Sequence, residues 1–582
     1  MEPAPEREPL RGDGRIPFTF RIGVTGHRDL ADPEALRPRI REAIVRLLTL
    51  VPVAHGAGLA LVVVSALAEG ADRLVAEEVL AAGHDRLVLQ DVLADAADQK
   101  MVLETVLADL DARLEVALPM DAEEYAKDFK TEDSKQEFRC LLAQARPSDI
   151  WQAPDWLERE EAYERAGRYV VDRCDAIIAV WNGEKSRGRG GTAEIVGYAQ
   201  EKRVPIAWVH TTDKSEPSYA LENSRADVVK EAASKLRKYN TSEIDSAEFD
   251  QQMRELRKEL MPDMAREIPI DPLGLSREAV ASWVFPYFIR ADILALRYQR
   301  HFRWLSVAIF ILAAAAVGVV AMQTNFWPNL NGLALIEVLC LIGLLGILMM
   351  NRRWRLHDQW ISSRFLAERL RSAYFLALAG TGDRRGRSAR IAYLSDSSEA
   401  WIERALAEVT ARRPELEAEP PVKALRDYLN RYWIGSQISY QEKASRKQRG
   451  FDDRLIRATE LLFALTLVAA GVHIFAGQIF AAGPHATHES PGFWEQFLIV
   501  FSITVPAVGA AFHGFGTQRQ FRRHSQSYRR MAGVLAQVQA QMTDATTIEK
   551  IREVAAATEQ VMREENSDWF GVMRFHDMEL IT

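Results

Sequence analysis

Cysteine is scarce in this chain. Its 582 residues hold three, Cys140, Cys174 and Cys340, widely spaced and without a Cys-x-x-Cys pair. That scarcity argues against a disulfide framework or a zinc cluster, so no metal site is expected and a reducing compartment suits the soluble part. An excess of positive charge is missing too: 73 Lys and Arg face 81 Asp and Glu, for a formal net charge of −8. This balance argues against nucleic acid as a partner. The opening stretch, Met1 to Arg15, is rich in Pro, Glu and Arg and lacks an apolar core. It is read as a disordered N-terminus (residues 1–15) and not a signal peptide, so the first domain is expected to stay in the cytosol.

Two short segments, Gln323 to Gly332 and Ala481 to Gly492, lack Lys and Arg altogether. Each joins a pair of apolar runs. Leu305–Met322, Leu461–Phe480 and Phe497–Phe512 carry no charge, and Leu333–Met350 carries one, Glu337. Each run is close to the roughly 20 residues that a helix needs to cross a bilayer. A buried soluble helix is the competing account, and it fits best for the fourth run, which contains Pro506. Basic residues crowd the other ends: Arg297, Arg300 and Arg303 before the first run, Arg352, Arg353 and Arg355 after the second, Arg446, Lys447 and Arg449 before the third, and Arg519, Arg522 and Arg523 after the fourth. The positive-inside rule then places both short loops outside and the remainder in the cytosol, with Phe326, Trp327, Phe493 and Trp494 as an outer aromatic belt. The expected location is the bacterial inner membrane, with both termini cytosolic and the bilayer itself as a partner.

The hairpins read as a repeat. Arg297-Tyr-Gln-Arg-His-Phe302 precedes the first and Arg446-Lys-Gln-Arg-Gly-Phe451 the second, and a basic amphipathic stretch follows each. Over roughly residues 285–560 the arrangement resembles the SLATT-type two-transmembrane effector domains of bacterial conflict systems, here doubled. Within the apolar runs Glu337 stands out, because a charge at helix depth costs roughly 2.5–3.5 kcal/mol on insertion scales. It is the candidate pore or gating residue, with His473 and His513 as possible partners; a carboxylate snorkelling to the interface is the plainer account.

The first 212 residues have a different texture. Phe18–Val24, Leu59–Ser65, Leu114–Leu118, Asp175–Trp181 and Val204–His210 read as apolar strands that alternate with helical patterns. Such a sequence predicts an α/β Rossmann-like parallel sheet covered on both faces, ahead of an all-α membrane domain of four transmembrane helices in two hairpins. Ligands bind outside the carboxyl ends of such strands, and glycine-bearing turns fall there: Gly26, Gly70, and Gly188 to Gly191 ahead of Thr192, which is read as a helix N-cap.

Taken together, Thr25-Gly-His-Arg28, Ser65-Ala-Leu-Ala-Glu-Gly-Ala-Asp-Arg73 and Gly190-Gly-Thr-Ala-Glu194 resemble the SLOG superfamily of Rossmann-like nucleotide sensors, which includes the Lonely Guy phosphoribohydrolases. Ala117-Leu-Pro-Met120, Tyr125, Asp128-Phe129 and the run from Asp175 to Gly183 extend the resemblance over residues 16–212. The enzymes of that group carry Pro-Gly-Gly-x-Gly-Thr-x-x-Glu. Here Ser186-Arg-Gly-Arg-Gly-Gly-Thr-Ala-Glu194 lacks the proline and brings the carboxylate one residue closer to the threonine, which favours binding over hydrolysis.

The candidate ligand-binding residues are Gly26, His27, Arg28, Ser65, Glu69, Gly70, Asp72, Trp181, Arg189, Gly190, Gly191, Thr192 and Glu194, with Arg187 beside them. Arg28 could hold a phosphate by a charge-assisted hydrogen bond; Ser65, Glu69 and Asp72 could bind ribose hydroxyls. Each also has an ordinary account: a solvated loop arginine, a packed small residue, an acid at the positive end of a helix. No residue is assigned as catalytic, and Glu194 takes that role if the protein is an enzyme. The expected boundaries are 16–212 for the nucleotide-binding domain, 213–290 for a helical connector, 291–380 for the first two-transmembrane unit, 381–445 for a second connector and 446–582 for the second unit.

No cofactor is expected. The combined resemblance implies an oligomeric membrane effector of bacterial anti-phage defence, triggered by a nucleotide signal of ADP-ribose or cyclic type that a partner enzyme makes, and acting by membrane permeabilisation. Two alternatives stay open: a membrane-tethered nucleotide or phosphoribosyl N-glycosidase, and a metabolite-gated channel or transporter unconnected with defence.

Overall fold

The computed structural model describes residues 12–51, 58–84, 110–184, 189–212, 216–221, 224–261, 273–381, 400–416, 419–480 and 493–574. Arg187, Gly188 and the loop from Ala481 to Gly492 lie outside the described residues. The chain divides into two compact units. The first takes residues 1–253, 279–290 and 382–415, and the second takes 254–278, 291–381 and 416–582.

The first unit is built on seven strands: β1 (Phe18–Gly26), β2 (Leu59–Ser65), β3 (Leu110–Leu118), β4 (Ile150–Gln152), β5 (Ala176–Trp181), β6 (Ile206–His210) and β7 (Ser218–Ala220). Their order across the sheet is β4-β3-β2-β1-β5-β6-β7, parallel except for β7, which pairs antiparallel with β6. Helices α1 (Pro33–Leu48), α2 (Ala71–His84), α3 (Ala122–Ala126), α4 (Glu132–Leu142), α5 (Arg159–Arg173), α6 (Thr192–Glu201) and α7 (Ala226–Thr241) connect or follow the strands. Every residue of β2 is buried, as a strand covered on both faces requires. Local signals set the helix starts. The Asp32 carboxylate accepts the Ala35 N–H at 3.2 Å ahead of Pro33, a residue suited to the first helical position. On one face α6 and α5 bury Ile195, Ala199 and Val171 against Ile177, Ala179 and Ile206.

Three departures from the sequence reading have simple causes. Strand β3 begins at Leu110, four residues early, because Asp111 and Arg113 interrupt its apolar run. Strands β4 and β7 are three residues each, too short for a period-2 pattern to register. Helix α12 (Ala400–Thr410), from the stretch read as a connector between the hairpins, belongs to the first unit. Its Arg404 pairs with Asp175 at 2.5 Å.

The second unit is helical. After α8 (Ser246–Leu260), whose residues 246–253 belong to the first unit, come α9 (Gly274–Phe326), which gives residues 279–290 to the first unit, then α10 (Asn331–Trp354) and α11 (Leu356–Leu378). Beyond α12, α13 (Val422–Tyr428) leads through a π-helical turn, Leu429–Gly435, into α14 (Ser436–Phe480), α15 (Phe493–Arg519), α16 (Phe521–Thr543) and α17 (Ile548–Arg574). Among the described residues, four helices are long and apolar enough to cross a membrane, within Gly274–Phe326, Asn331–Trp354, Val422–Phe475 and Phe493–Thr543. Their apolar side chains face outward, Leu335, Ile342, Phe463 and Ile474 among them, as lipid-facing side chains do. Away from the spans, α14 and α16 approach closely through small residues: each of Ser445 and Ser525 donates its hydroxyl to the other's carbonyl, at 2.8 and 3.0 Å.

Candidate functional site

The sheet order runs one way from β1 through β2 and the other way through β5. The carboxyl ends of β1 and β5 therefore flank the switch point where open α/β sheets bind ligands. Three turns meet at that edge. His27 N–H donates to the Val180 carbonyl, and Ala71 N–H donates to the His27 carbonyl, both at 3.0 Å. Two glycines permit this closeness. A Cβ on Gly26 would lie 2.3 Å from the Ala71 Cβ, and one on Gly70, whose φ is +79°, 2.3 Å from the Arg28 carbonyl oxygen.

Much of the predicted set serves the turns themselves. The Ser65 hydroxyl accepts from Leu67 N–H at 3.0 Å and donates to the Asp72 carbonyl at 3.3 Å. Glu69 accepts from Lys130 N–H at 2.9 Å and from the Ser134 hydroxyl at 2.5 Å, which fastens the start of α4. Trp181, the last residue of β5, gives its carbonyl to the Trp208 indole at 3.1 Å. Arg189 pairs with Glu164 on α5. Gly190 is left-handed at φ +79°, and its N–H donates at 2.8 Å to Glu194, whose carboxylate thus folds back over the start of α6. The cap is Gly191, and Thr192 is the first helical residue instead of the cap; with no side chain at the cap, Glu194 satisfies the turn.

Around β1 and β2 the structure gathers a more chemical group. Asp72 is buried at the start of α2. Burial pushes its carboxyl up to about 7, against the pull of hydrogen bonds from the Ala68 and Ala66 backbone and of the nearby Arg28 and Arg73. The Arg28 guanidinium lies over the Tyr163 ring, 5.1 Å from its centroid. The Tyr163 hydroxyl donates to Asp128, which also pairs with Arg159. Tyr125 is fully buried, its hydroxyl without a hydrogen-bond partner among the described residues; burial and Asp72 both raise its pKa. On the other flank His27 Nε2 lies 2.8 Å from Asn182 Oδ1. Asn182 Oδ1 also accepts from Glu184 N–H at 3.1 Å, and the Asn182 backbone N–H donates to His27 Nε2 at 3.2 Å.

Sequence reasoning missed Tyr163 and Asn182. Asn182 directly follows a strand and precedes a left-handed Gly183, an Asx-turn signal that was there to read. Tyr163 sits mid-helix on α5, where spacing gives no hint. The arrangement sets a cation, Arg28, near a buried carboxyl whose pKa burial raises to about 7, with the buried Tyr125 phenol behind them.

In the second unit Glu337, His473 and His513 stand on α10, α14 and α15, and among the described residues no hydrogen bond or ion pair joins them. Glu337 is half-buried, six residues from the start of its helix; His513 is exposed; His473 Nδ1 is buried without a partner among the described residues.

Residues 434–569 match the SLATT_1 family, described as SMODS and SLOG-associating 2TM effector domain 1. The match covers α14, α15, α16 and most of α17, and so includes the second pair of candidate spans. The chain thus carries a SLATT_1 domain behind an α/β domain with a mostly parallel seven-stranded sheet, and its four candidate spans mark it as a membrane protein. No curated protein matches the chain.

Proposed function

We propose that the chain is a ligand-gated membrane effector of bacterial anti-phage defence. Its N-terminal domain is of the SLOG type and binds a nucleotide-derived signal, of ADP-ribose or cyclic type, at the carboxyl ends of β1, β2 and β5. Binding drives self-association, and the four spans then permeabilise the inner membrane. The observation that carries this reading is the match of residues 434–569 to an effector domain whose description names SLOG as its associate, in a chain whose N-terminal turns carry the SLOG-like motifs.

The doubling of the SLATT-like hairpin has support beyond the shared Arg-x-Gln-Arg-x-Phe. In each hairpin the second span ends on a non-glycine residue in the left-handed region, Arg355 at φ +48° and Gln520 at φ +46°. The repeat phenylalanine packs just past each elbow: Phe302 lies 4.7 Å from the His357 ring and Phe451 6.0 Å from the Phe521 ring. Left-handed backbone costs a side-chain-bearing residue roughly 1–2 kcal/mol, so the same device at both places favours duplication over chance. Basic residues on one side of all four spans support cytosolic termini.

The test is dye release from proteoliposomes holding the full-length chain, with ADP-ribose and cyclic nucleotides supplied on the side of the soluble domain. Release on addition of one of them is expected. Silence with every nucleotide that the protein binds overturns the permeabilising reading; turnover of a bound nucleotide would transfer the assignment to an N-glycosidase using Glu194.

A further inference from the structure

The first and fourth candidate spans run antiparallel within the helical unit, and their contacts fix the register. Phe326 of α9 meets Phe493 of α15 at 5.6 Å between ring centroids. A Cβ on Gly318 would lie 3.3 Å from Thr504 Cγ2. Phe310 meets Phe515 edge to face at 5.9 Å. At the end of the seam where the basic residues gather, the Arg519 guanidinium lies over Phe302, 5.7 Å from its ring centroid, and 5.6 Å from that of Phe515. Phe302 is buried, so this platform is fixed.

Arg519 is held there but not satisfied. A phenyl face attracts a cation yet offers its N–H groups no lone pair, and Arg519 Nη2 is buried without a hydrogen-bond partner among the described residues. The charge that bears on Arg519 is a like one, that of Arg303, the residue after Phe302. Among the described residues neither arginine enters an ion pair. Like charges at close range repel, and a half-buried cation without a counter-ion is unfavourable. An oxyanion shared by the two guanidiniums relieves both. Arg303 is exposed and Arg519 half-buried, so the pair is open to one. Trp304, exposed beside Arg303, is the residue type found at the depth of lipid headgroups. The repeat does not supply this pair twice: counted from the elbows and from the repeat phenylalanines, the matching positions are Trp354 and Asp452.

We propose that Arg519 and Arg303 bind the phosphate of an anionic lipid headgroup, which thereby links the two hairpins at the basic end of the seam. The planar guanidinium presents two N–H groups at once to a phosphate, and basic pockets between spanning helices are suited to such headgroups. With no carboxylate paired to either arginine, a headgroup of net negative charge is favoured over a zwitterionic one, whose own ammonium would add to the repulsion. The site rests on contacts within the helical unit and would stand if the nucleotide reading fell.

Phosphatidylglycerol titrated into the full-length chain in a neutral detergent tests this, with bound lipid read by native mass spectrometry and stability by the melting temperature. Saturable binding that raises the melting temperature is expected, with phosphatidylcholine and inorganic phosphate each weaker by about tenfold. Arg303→Gln, at an exposed position, should fold as the wild type does and lose affinity about tenfold. Arg519→Lys keeps the charge but loses the fork, and should lose affinity severalfold. Arg522→Gln, an exposed arginine on α16, should bind as the wild type does. Absent saturable binding, or wild-type affinity in Arg303→Gln, would overturn the assignment. So would phosphatidylcholine or inorganic phosphate binding as tightly as phosphatidylglycerol. An equal loss in Arg522→Gln and Arg303→Gln would also overturn it, because the attraction would then belong to the basic surface at large.

Discussion

The Thr19 hydroxyl in β1 donates at 2.5 Å to the carboxylate of Glu408 in α12, 389 residues further along the chain. Glu408 is buried, and burial alone would raise its pKa. The guanidiniums of Arg113 and Arg412 and the Thr19 hydroxyl outweigh this and hold it at about 2, against an ordinary 4.5. Helix α12, from the segment between the two hairpins, is thereby locked into the fold of the α/β domain. A fragment ending at Thr212 would lack both α12 and β7, so ligand studies need the whole chain.

Glu408 has a depressed pKa in the folded state, so its contribution is complete above about 4.5 and is lost as pH falls through about 2. It amounts to about 3 kcal/mol by linkage. Thermal melts of the first unit, followed by tryptophan fluorescence, should show wild type losing stability across that window and Glu408→Gln losing much less. Parallel losses in both would remove Glu408 from the account.

Arg28 and Asp72 make a prediction about binding. If Arg28 holds a phosphate, Arg28→Ala weakens nucleotide affinity by roughly 1.5–3 kcal/mol, the size of a charged hydrogen bond. Asp72 works the opposite way to Glu408. Its folded pKa is raised to about 7, so the stability it adds as a neutral acid is complete below about 3.8 and lost as pH rises through 7. Above 7 its carboxylate also competes with an anionic ligand for Arg28. Affinity should therefore fall as pH passes 7, and Asp72→Asn should flatten that profile. Calorimetry at pH 6 and pH 8, on either side of about 7, gives the comparison; an Arg28→Ala variant with wild-type affinity at both would take the ligand elsewhere.

The elbows at Arg355 and Gln520 give a third prediction. Glycine adopts φ near +47° without the Cβ clash, so Arg355→Gly and Gln520→Gly should be neutral or stabilise by up to about 1 kcal/mol, offset by the looser unfolded chain. Valine at either position should destabilise. Matching responses at the two sites, read as melting temperatures in detergent, are what duplicated hairpins require; a variant pair with opposite signs would argue that the elbows are unrelated.

What the sequence made legible follows from how each feature is encoded. Leu59–Ser65 and Ala176–Trp181 are unbroken apolar runs, and periodicity alone finds them. The spans are legible for the same reason. The roles of Arg113 in β3 and of Glu408 were hidden, because the two lie 295 residues apart and only folding joins them. At the site, motifs pointed to Arg28 and Asp72 but also to Ser65 and Glu69, whose hydrogen bonds the turns consume. A polar residue in a turn motif carries no mark that separates holding the turn from holding a ligand.

Each chain has four candidate spans, mostly apolar around their circumference, so a single copy is poorly suited to enclosing a water-filled path. Activity should therefore require several subunits, and ligand can drive assembly only by binding the assembled form better than the resting one. Coupling of about 3 kcal/mol per unit is near the upper end of what one site supplies, and several units acting together exceed it. Glu337 is the only acid within the apolar part of its span, and lining or gating the assembled path would keep its carboxylate out of lipid. Glu337→Gln should insert and bind nucleotide as wild type does, but change the ion leak; Glu337→Leu should abolish it. Cysteine labelling fixes the geometry in the same vesicles: a cysteine at Asn329 should react from outside and one at Ser397 should not. If Glu337→Leu leaks as wild type does, the carboxylate is a snorkelling side chain and the path lies elsewhere.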